Sequence, residues 1–235
     1  MTKKITSSFS ASVTPPEPAT RRGGAGKTSS SKRDPEGTRQ RILDAATEEF
    51  TLAGLGGGRV DQIAKRAGIN ERMLYYYFGS KEGLFRTALE NAYLKLVEAE
   101  HSLHLDDLPA DEAMRQLMAF IWQYYVDNPG LVNLVNSENL HKARHLKQSE
   151  RLGELISPTV KMIETILLRG QKAGLFRLGI DPIQLYITIA SLGYFHLSNC
   201  YTASATLGVD LLSPDMLKAH LEHNTEVVMS FLLKR

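Results

Sequence analysis

From Glu36 to the C-terminus the apolar residues of this chain recur every three or four positions. No run alternates at the period of two that a half-buried strand requires. That periodicity confines the fold to helices. Ile42, Ala46, Phe50 and Ala53 form one stripe along a helix that ends at Gly54. The run Gly56-Gly57-Gly58 breaks the chain, and Val60, Ile63, Ala64 and Ala67 set the inner face of a short second helix. Gly68 ends it, Ile69 turns inward, and Asn70 caps a third helix over 71–78. Ser80 caps a fourth, which runs from Lys81 through Leu84, Ala88, Ala92 and Leu96 towards Leu103.

Further helices are expected over 110–127, 129–140, 152–173, 182–201 and 214–233. Pro129, Pro182 and Pro214 stand in first turns, where the missing N–H would have no helical partner. Asp181 and Ser213 precede two of these prolines as caps. No segment repeats at a fixed period. The expectation is an all-α protein of eight or nine helices with short connections.

Composition narrows the class. The chain has 235 residues, of which 43% are apolar and 23% charged, which fits one or two globular domains and excludes collagen, wholesale disorder and a coiled-coil rod. Its single cysteine, Cys200, excludes an internal disulfide framework and a four-cysteine zinc site, and points to a reducing compartment. The longest near-apolar stretch, Ile183 to Leu197, falls short of the ~20 residues that a membrane span needs and carries Gln184, Thr188, Ser191 and His196. No apolar run precedes Pro15 and Pro16, so no secretory signal is expected. A soluble, cytoplasmic protein with no membrane partner is the expectation.

The net charge of +2 hides an asymmetry. Residues 1–35 carry seven Lys/Arg against Glu17 and Asp34, a net of +5. Residues 36–82 are neutral, and residues 83–235 carry fourteen basic against seventeen acidic side chains, a net of −3. The first 35 residues are rich in Ser, Thr, Pro and Gly and read as a disordered basic tail, too poor in apolar surface to offset the entropy of ordering. Its stretch Arg21 to Arg33 serves either as a solvated linker or as an arm that reaches DNA.

The segment 60–78 has the pattern of helix, three-residue turn, helix, the geometry that seats a recognition helix in the major groove of DNA. The string Leu74-Tyr75-Tyr76-Tyr77-Phe78-Gly79-Ser80-Lys81-Glu82 sharpens it. Leu74 and Phe78, at i and i+4, take the inner face, so at least two of the three tyrosines point outward. An outward tyrosine suits phosphate contact, its hydroxyl donating while the ring packs on sugar. Lys81 begins the fourth helix, where its ammonium and the free backbone amides grip one phosphate together.

Residues about 38–85 resemble the DNA-binding domain of the tetracycline-repressor (TetR) family. The matching stretches are Thr38 to Ala46, Gln62 to Ile69 and Leu74 to Lys81, about a fifth of the chain. The resemblance implies a fold with an N-terminal three-helix helix-turn-helix domain over 36–84 and a larger helical ligand-binding and dimerisation domain over 85–235. It assigns phosphate contacts to Tyr75, Tyr76 and Lys81, with Tyr77 a further candidate. It also turns Asn70, Glu71, Arg72 and Met73 towards base edges. Arg72 is the specificity candidate, through a bidentate grip on guanine, whereas Glu71 is repelled by phosphate unless it accepts from a cytosine amino group. Two positions depart from the family: Glu71 at the start of the recognition helix, and Gly58, which stands where a Thr or Ser is usual before helix two, with Arg59 the candidate to replace the lost phosphate contact.

In the C-terminal part, helix 182–201 is apolar nearly all round, and helix 214–233 carries Leu217, Leu221, Val228 and Leu232 along one stripe. The resemblance implies that these last two helices pair with their symmetry mates in a homodimer. It also implies an unidentified small-molecule effector that moves helix four. Phe120, Trp122, Tyr124, Tyr125, Met162, Tyr194, Phe195 and Tyr201 are candidates to line its pocket, or else ordinary core.

Glu138, His141 and His145 share a helix face at metal-ligand spacing, but Lys142, Arg144 and Lys147 make the segment basic, so a solvated face and no metal site are expected. No phosphate loop or nucleophile motif is present, Cys200 reads as structural, and neither a cofactor nor an enzymatic activity is expected. The function expected is ligand-responsive repression from a palindromic operator in double-stranded DNA. The alternatives are an architectural DNA-binding protein without effector, and a helical small-molecule-binding protein or enzyme with a vestigial headpiece.

Overall fold

A computed structural model describes residues 34–155 and 158–234. The tail expected over 1–35 therefore lies outside the described residues as far as Arg33. Among the described residues the chain forms ten α-helices: α1 Pro35–Gly57, α2 Val60–Ala67, α3 Glu71–Phe78, α4 Lys81–His101, α5 Ala110–Asp127, α6 Pro129–Leu140, α7 Thr159–Lys172, α8 Pro182–Ser198, α9 Cys200–Leu207 and α10 Pro214–Leu232. The β-type pairing described is an isolated bridge between Phe176 and Leu233.

Local chemistry sets most boundaries. Asn70 Oδ1 accepts from the Arg72 N–H at 2.9 Å and Ser80 Oγ from the Gly83 N–H at 3.0 Å, so each caps its helix. Gly68 closes α2 in the left-handed conformation at φ 66°, ψ 38°. Three boundaries differ from the pattern in the sequence. The first helix continues past Gly54, which is non-helical at φ 64°, ψ −179° and makes a kink rather than an end. Helix α7 starts at Thr159 instead of Leu152, because Pro158 lacks an N–H and disfavours helical backbone before it. The expected helix 182–201 is broken at Asn199, whose side-chain amide donates to the Phe195 carbonyl at 3.1 Å and competes with helix continuation.

Two apolar cores result. The first gathers Ile42, Ala46 and Phe50 of α1, Ile63 of α2, Leu74 of α3, Leu84, Phe85, Ala88 and Leu89 of α4, and Leu134 of α6. Phe50 and Phe85 meet edge to face at 5.3 Å, and each large side chain buried here stabilises the fold by about 1.5–3 kcal/mol. The second gathers α5, α7, α8 and α10 around Met114, Leu117, Ile163, Ile166, Ile189 and Val228.

Helix α6 ties the α1–α4 unit to the larger bundle. It packs on α1, α4, α5 and α8. Ser137 Oγ accepts from the Leu55 N–H at 3.0 Å, and Asn133 donates to the Thr51 carbonyl at 3.2 Å. At its end the buried Glu138 carboxylate accepts from the backbone N–H groups of His145 and Leu146 at 2.8 and 2.9 Å and meets His145 Nδ1 at 2.7 Å. Because α6 stops at Leu140, His141 and His145 do not lie on one helix, yet their rings meet edge to face at 5.3 Å, and Glu138 and His145 are buried rather than on a solvated face. Among the described residues, no group of three or more His, Cys, Asp or Glu is placed to hold a metal ion.

Candidate nucleic-acid interface and internal cavity

Helices α2 and α3 are joined by Gly68, Ile69 and Asn70; α2 packs on α1, and α3 packs on α2 and α4, with Ile63 and Leu74 in the first core. Leu74 is fully buried, which turns the opposite side of α3 outward. That side presents Arg72, Met73, Tyr75 and Tyr76, with Tyr76 83% exposed. Tyr77 behaves differently: it is half-buried, packs against the first core and meets the Tyr76 ring edge to face at 5.3 Å. Two of the three tyrosines thus point outward and the third spends most of its surface on packing.

The cations differ in how free they are. Among the described residues no acidic side chain pairs with Arg72, which leaves its guanidinium available. Arg59, by contrast, grips Asp61 through two hydrogen bonds of 2.8 and 3.1 Å, and this partner holds its pKa above the ordinary value. A phosphate at Arg59 must compete with that carboxylate. Lys81 opens α4, its Nζ 3.5 Å from the Gly56 carbonyl. Beside it Glu82 is exposed, its pKa lowered chiefly by its own backbone N–H at the helix start and also by the Ser80 hydroxyl. Asn70 uses its side-chain oxygen in the cap, leaving its amide for other partners, and Glu71 is exposed at the start of α3.

The departure at Gly58 has a steric cause. A Cβ at this position would lie 2.7 and 2.8 Å from Cδ1 and Cε1 of Phe50, closer than carbon atoms pack. A serine or threonine there would have to displace the Phe50 ring, and the Glu49 carboxylate accepts the Arg59 N–H at 3.1 Å at this helix start.

In the larger bundle a cavity of about 280 Å³ opens between α4, α5, α6 and α8. Tyr93, Leu96 and Val97 come from α4, Tyr125 from α5, and Leu131, Val132 and Val135 from α6. Tyr186, Ile187, Ala190, Ser191 and Tyr194 complete it from α8. Of the pocket candidates in the sequence, Tyr125 and Tyr194 line this cavity. The other six lie elsewhere. Trp122 is buried against the rings of His196 and His220 at 5.4 and 5.0 Å. Phe120 packs on the second core and stands 5.9 Å from Tyr124, which is half-buried outside the cavity lining. Met162 borders a separate, more polar hollow beside Glu100 and His101. Phe195 and Tyr201 are 65% and 81% exposed, because they fall on the outer faces of α8 and α9.

Tyr93 and Tyr186 were not singled out by the sequence, and only the meeting of four helices reveals them. Burial pushes the Tyr93 phenol up to about 12 and raises those of Tyr125 and Tyr186, so all three are neutral hydroxyls at physiological pH.

A capped helix-turn-helix with an outward-facing cationic and aromatic recognition surface, carried on a larger helical bundle with a cavity, defines a DNA-binding regulator. Residues 42–88 match the family of bacterial regulatory proteins named for TetR, and residues 111–228 match the tetracyclin repressor-like C-terminal domain. The HTH-type transcriptional repressor NicS of Pseudomonas putida strain KT2440 is 45% identical over 174 residues, which cover 74% of this chain and 82% of that protein. The HTH-type transcriptional repressor SCO4008 of Streptomyces coelicolor is 33% identical over 108 residues, covering 46% and 53% of the two chains. Among solved structures, the transcriptional regulator SCO4942 of Streptomyces coelicolor superposes with a TM-score of 0.62 at 26% identity, covering 83% of this chain and 98% of that one. The transcriptional regulator FadR of Bacillus subtilis in complex with stearoyl-CoA shares the fold, with a TM-score of 0.60 at 19% identity and coverage of 82% and 98%. The chain belongs to the TetR family of transcriptional regulators. Among the described residues no helix is long and apolar enough to cross a membrane.

Proposed function

We propose that this chain is a homodimeric repressor that binds a palindromic operator in double-stranded DNA and answers to a small-molecule effector. The observation that carries the reading is the outward face of α3, where Arg72, Met73, Tyr75 and Tyr76 stand beside Lys81 at the start of α4. In this reading residues 36–84 grip DNA, with Arg72 reading guanine and Asn70, Glu71 and Met73 at neighbouring base edges. Tyr75, Tyr76, Lys81 and, after release from Asp61, Arg59 meet phosphate. Tyr77 contributes by supporting Tyr76. Residues 85–235 hold the effector, in the cavity between α4, α5, α6 and α8, and dimerise.

The dimer reading rests on two apolar stripes. Ile183, Ile187 and Phe195 on α8 and Val227 and Phe231 on α10 are each more than 40% exposed. For both recognition helices to enter successive major grooves, a second copy covering them must hold the two α3 helices ~34–36 Å apart. Such a regulator works in the cytoplasm. The printed names of the 45% and 33% identical relatives, both repressors, support repression as the outcome.

The test is binding of the purified protein to DNA flanking its own gene, against a scrambled fragment, at two salt concentrations. A dimer that shifts the flanking DNA far more tightly than the control supports the reading. Equal and steeply salt-dependent binding to both fragments favours an architectural protein instead. No binding to either at low salt overturns the regulator reading for the protein as isolated.

A further inference from the structure

We infer that the cavity between α4, α5, α6 and α8 takes a small, uncharged, single-ring aromatic compound bearing a hydrogen-bond acceptor, and rejects the carboxylate and ammonium forms of the same ring. The inference rests on the reading of that cavity as the effector site. Size sets the first limit. The cavity of about 280 Å³ lies below most drug-sized pockets, which span ~300–1,000 Å³. It is somewhat under twice the ~150 Å³ apolar cavity that is filled by benzene. One ring with a few substituents fits that volume.

The wall chemistry sets the second limit. Leu96, Val97, Leu131, Val132, Val135 and Ile187 supply apolar surface, and no Lys, Arg, His, Asp or Glu lines the space. The polar groups are almost all phenols. Tyr194 donates to Asn136 Oδ1 at 2.6 Å. The hydroxyls of Tyr93, Tyr125 and Tyr186 have no hydrogen-bond partner among the described residues. Because among the described residues no fully buried side-chain nitrogen or oxygen lacks a partner, these three hydroxyls are open rather than sealed in apolar packing. Three phenolic donors around an apolar slot call for a ligand with a flat face and an acceptor such as an amide carbonyl.

Charge sets the third limit. The phenols of Tyr93 and Tyr125 are raised first by burial and next by Tyr186, with Glu138 adding to the rise of Tyr93 and Glu100 to that of Tyr125. A carboxylate in the cavity would be buried with no Lys, Arg or His in the lining to offset its desolvation, the same burial that opposes a phenolate there. A cation fares no better. Glu138 is spent on His145 and two backbone amides, and Glu100 accepts from Thr159. Neither carboxylate lines the cavity, so an ammonium would be buried without a counter-ion.

The test is a matched series, benzamide, benzoate and benzylammonium, titrated into the full-length protein at pH 7 and followed by ligand-observed NMR and calorimetry. Benzamide is expected to bind at least tenfold tighter than either ion. Tyr125→Phe, which removes one hydroxyl and no packing volume, should weaken benzamide several-fold, and Ala190→Phe should fill the slot and abolish binding. Binding of benzoate or benzylammonium as tight as that of benzamide, no binding by any of the three, or benzamide binding that survives both substitutions would each overturn the inference. Operator binding measured in parallel separates the two readings. Benzamide that binds without releasing DNA leaves the ligand class standing and removes the effector role. Release of DNA by one of the ions keeps the effector role and removes the ligand class.

Discussion

Restoring the residue that the family usually carries before helix two should damage this protein. Gly58 is buried, and the Cβ of a serine there would stand 2.7 Å from Phe50 Cδ1 and 3.0 Å from the Gly54 carbonyl oxygen. Ordinary carbon contacts lie near ~3.5–4.0 Å, so something must yield by about 1 Å. Phe50 has nowhere to go, being 0% exposed and set edge-on to Phe85 at 5.3 Å. Forcing atoms into a filled core costs about 1–3 kcal/mol. No cap offsets this, since the capping position of α2 is Arg59 rather than residue 58.

Gly58→Ser should therefore lower stability by about 1–3 kcal/mol, or Tm by roughly 2–12 °C at ~2–4 °C per kcal/mol for a chain of this size. Urea unfolding followed by circular dichroism, at one fixed protein concentration, reads the difference as a shift in midpoint with unchanged slope. Phe50→Leu creates the space that the serine needs, so the double variant should cost at least ~1 kcal/mol less than the two single costs added. A Gly58→Ser protein with the wild-type midpoint, or strict additivity with Phe50→Leu, would refute the steric account.

On the DNA side, Arg72→Ala should cost about 1–3 kcal/mol on the best operator and relax preference at one base position, read by competition between single-base operator variants. Tyr76→Phe should weaken all DNA sequences alike, by about 0.5–1.5 kcal/mol, and a sequence-selective loss would argue against a phosphate contact. Stability should fall as pH drops through about 6.5, because burial lowers the pKa of His220 in the folded protein and the unfolded chain binds the proton more readily. His196 and His223 add to that lowering, whereas the Leu192 carbonyl, 2.9 Å from His220 Nε2, opposes it. His220→Gln should flatten this part of the pH profile of urea midpoints, and an unchanged slope would remove His220 as its source. Ser137→Ala should cost about 1–3 kcal/mol by leaving the Leu55 N–H without its acceptor in a buried site, measured by the same unfolding assay.

The parts that the sequence declared were those whose causes are local. Asn70, Ser80 and Gly68 each act within a few residues of the boundary they set, so α2, α3 and the start of α4 stand where the pattern places them. The exposure of Tyr75 and Tyr76 followed from the burial of Leu74, a constraint within two helical turns. The cavity was not legible in this way. Helix α8 is apolar on most sides, and no periodicity tells which face of such a helix meets α4 and which meets solvent. Tyr186 and Tyr194 fell on the cavity side while Phe195, one residue on, fell outside. Trp122 looked like a pocket residue because it is large and aromatic, but the histidines that claim it come from α8 and α10, 74 and 98 positions later. The end of α6 escaped for a third reason. Lys142 and Ala143 turn the chain with φ 57° each, a conformation that neither residue advertises, and the turn is held by Glu138.

These distant pairings bear on how a bound molecule could reach the DNA-binding face. Helix α4 carries Lys81 at its start and Tyr93, Leu96 and Val97 in the cavity wall, about 18–24 Å further along at 1.5 Å per residue. Helix α6 supplies Leu131, Val132 and Val135 to the same wall. Its Leu134 belongs to the first core, and Ser137 holds the backbone just beyond the kink in α1. Two helices therefore run from the cavity to the α1–α3 unit, one ending beside the recognition surface and the other fastened behind it. A ligand that wedged the two apart would strain packed side chains at both far ends, and packed cores change between discrete arrangements rather than yielding gradually. The extent of any such change is bounded by the difference in affinity of the ligand for the two arrangements. A ten-to-one preference moves the balance by about 1.4 kcal/mol, comparable to the cost of losing the single Ser137 hydrogen bond. That hydrogen bond is thus of the right size to set how readily the cavity speaks to the headpiece, and too weak to hold the fold by itself.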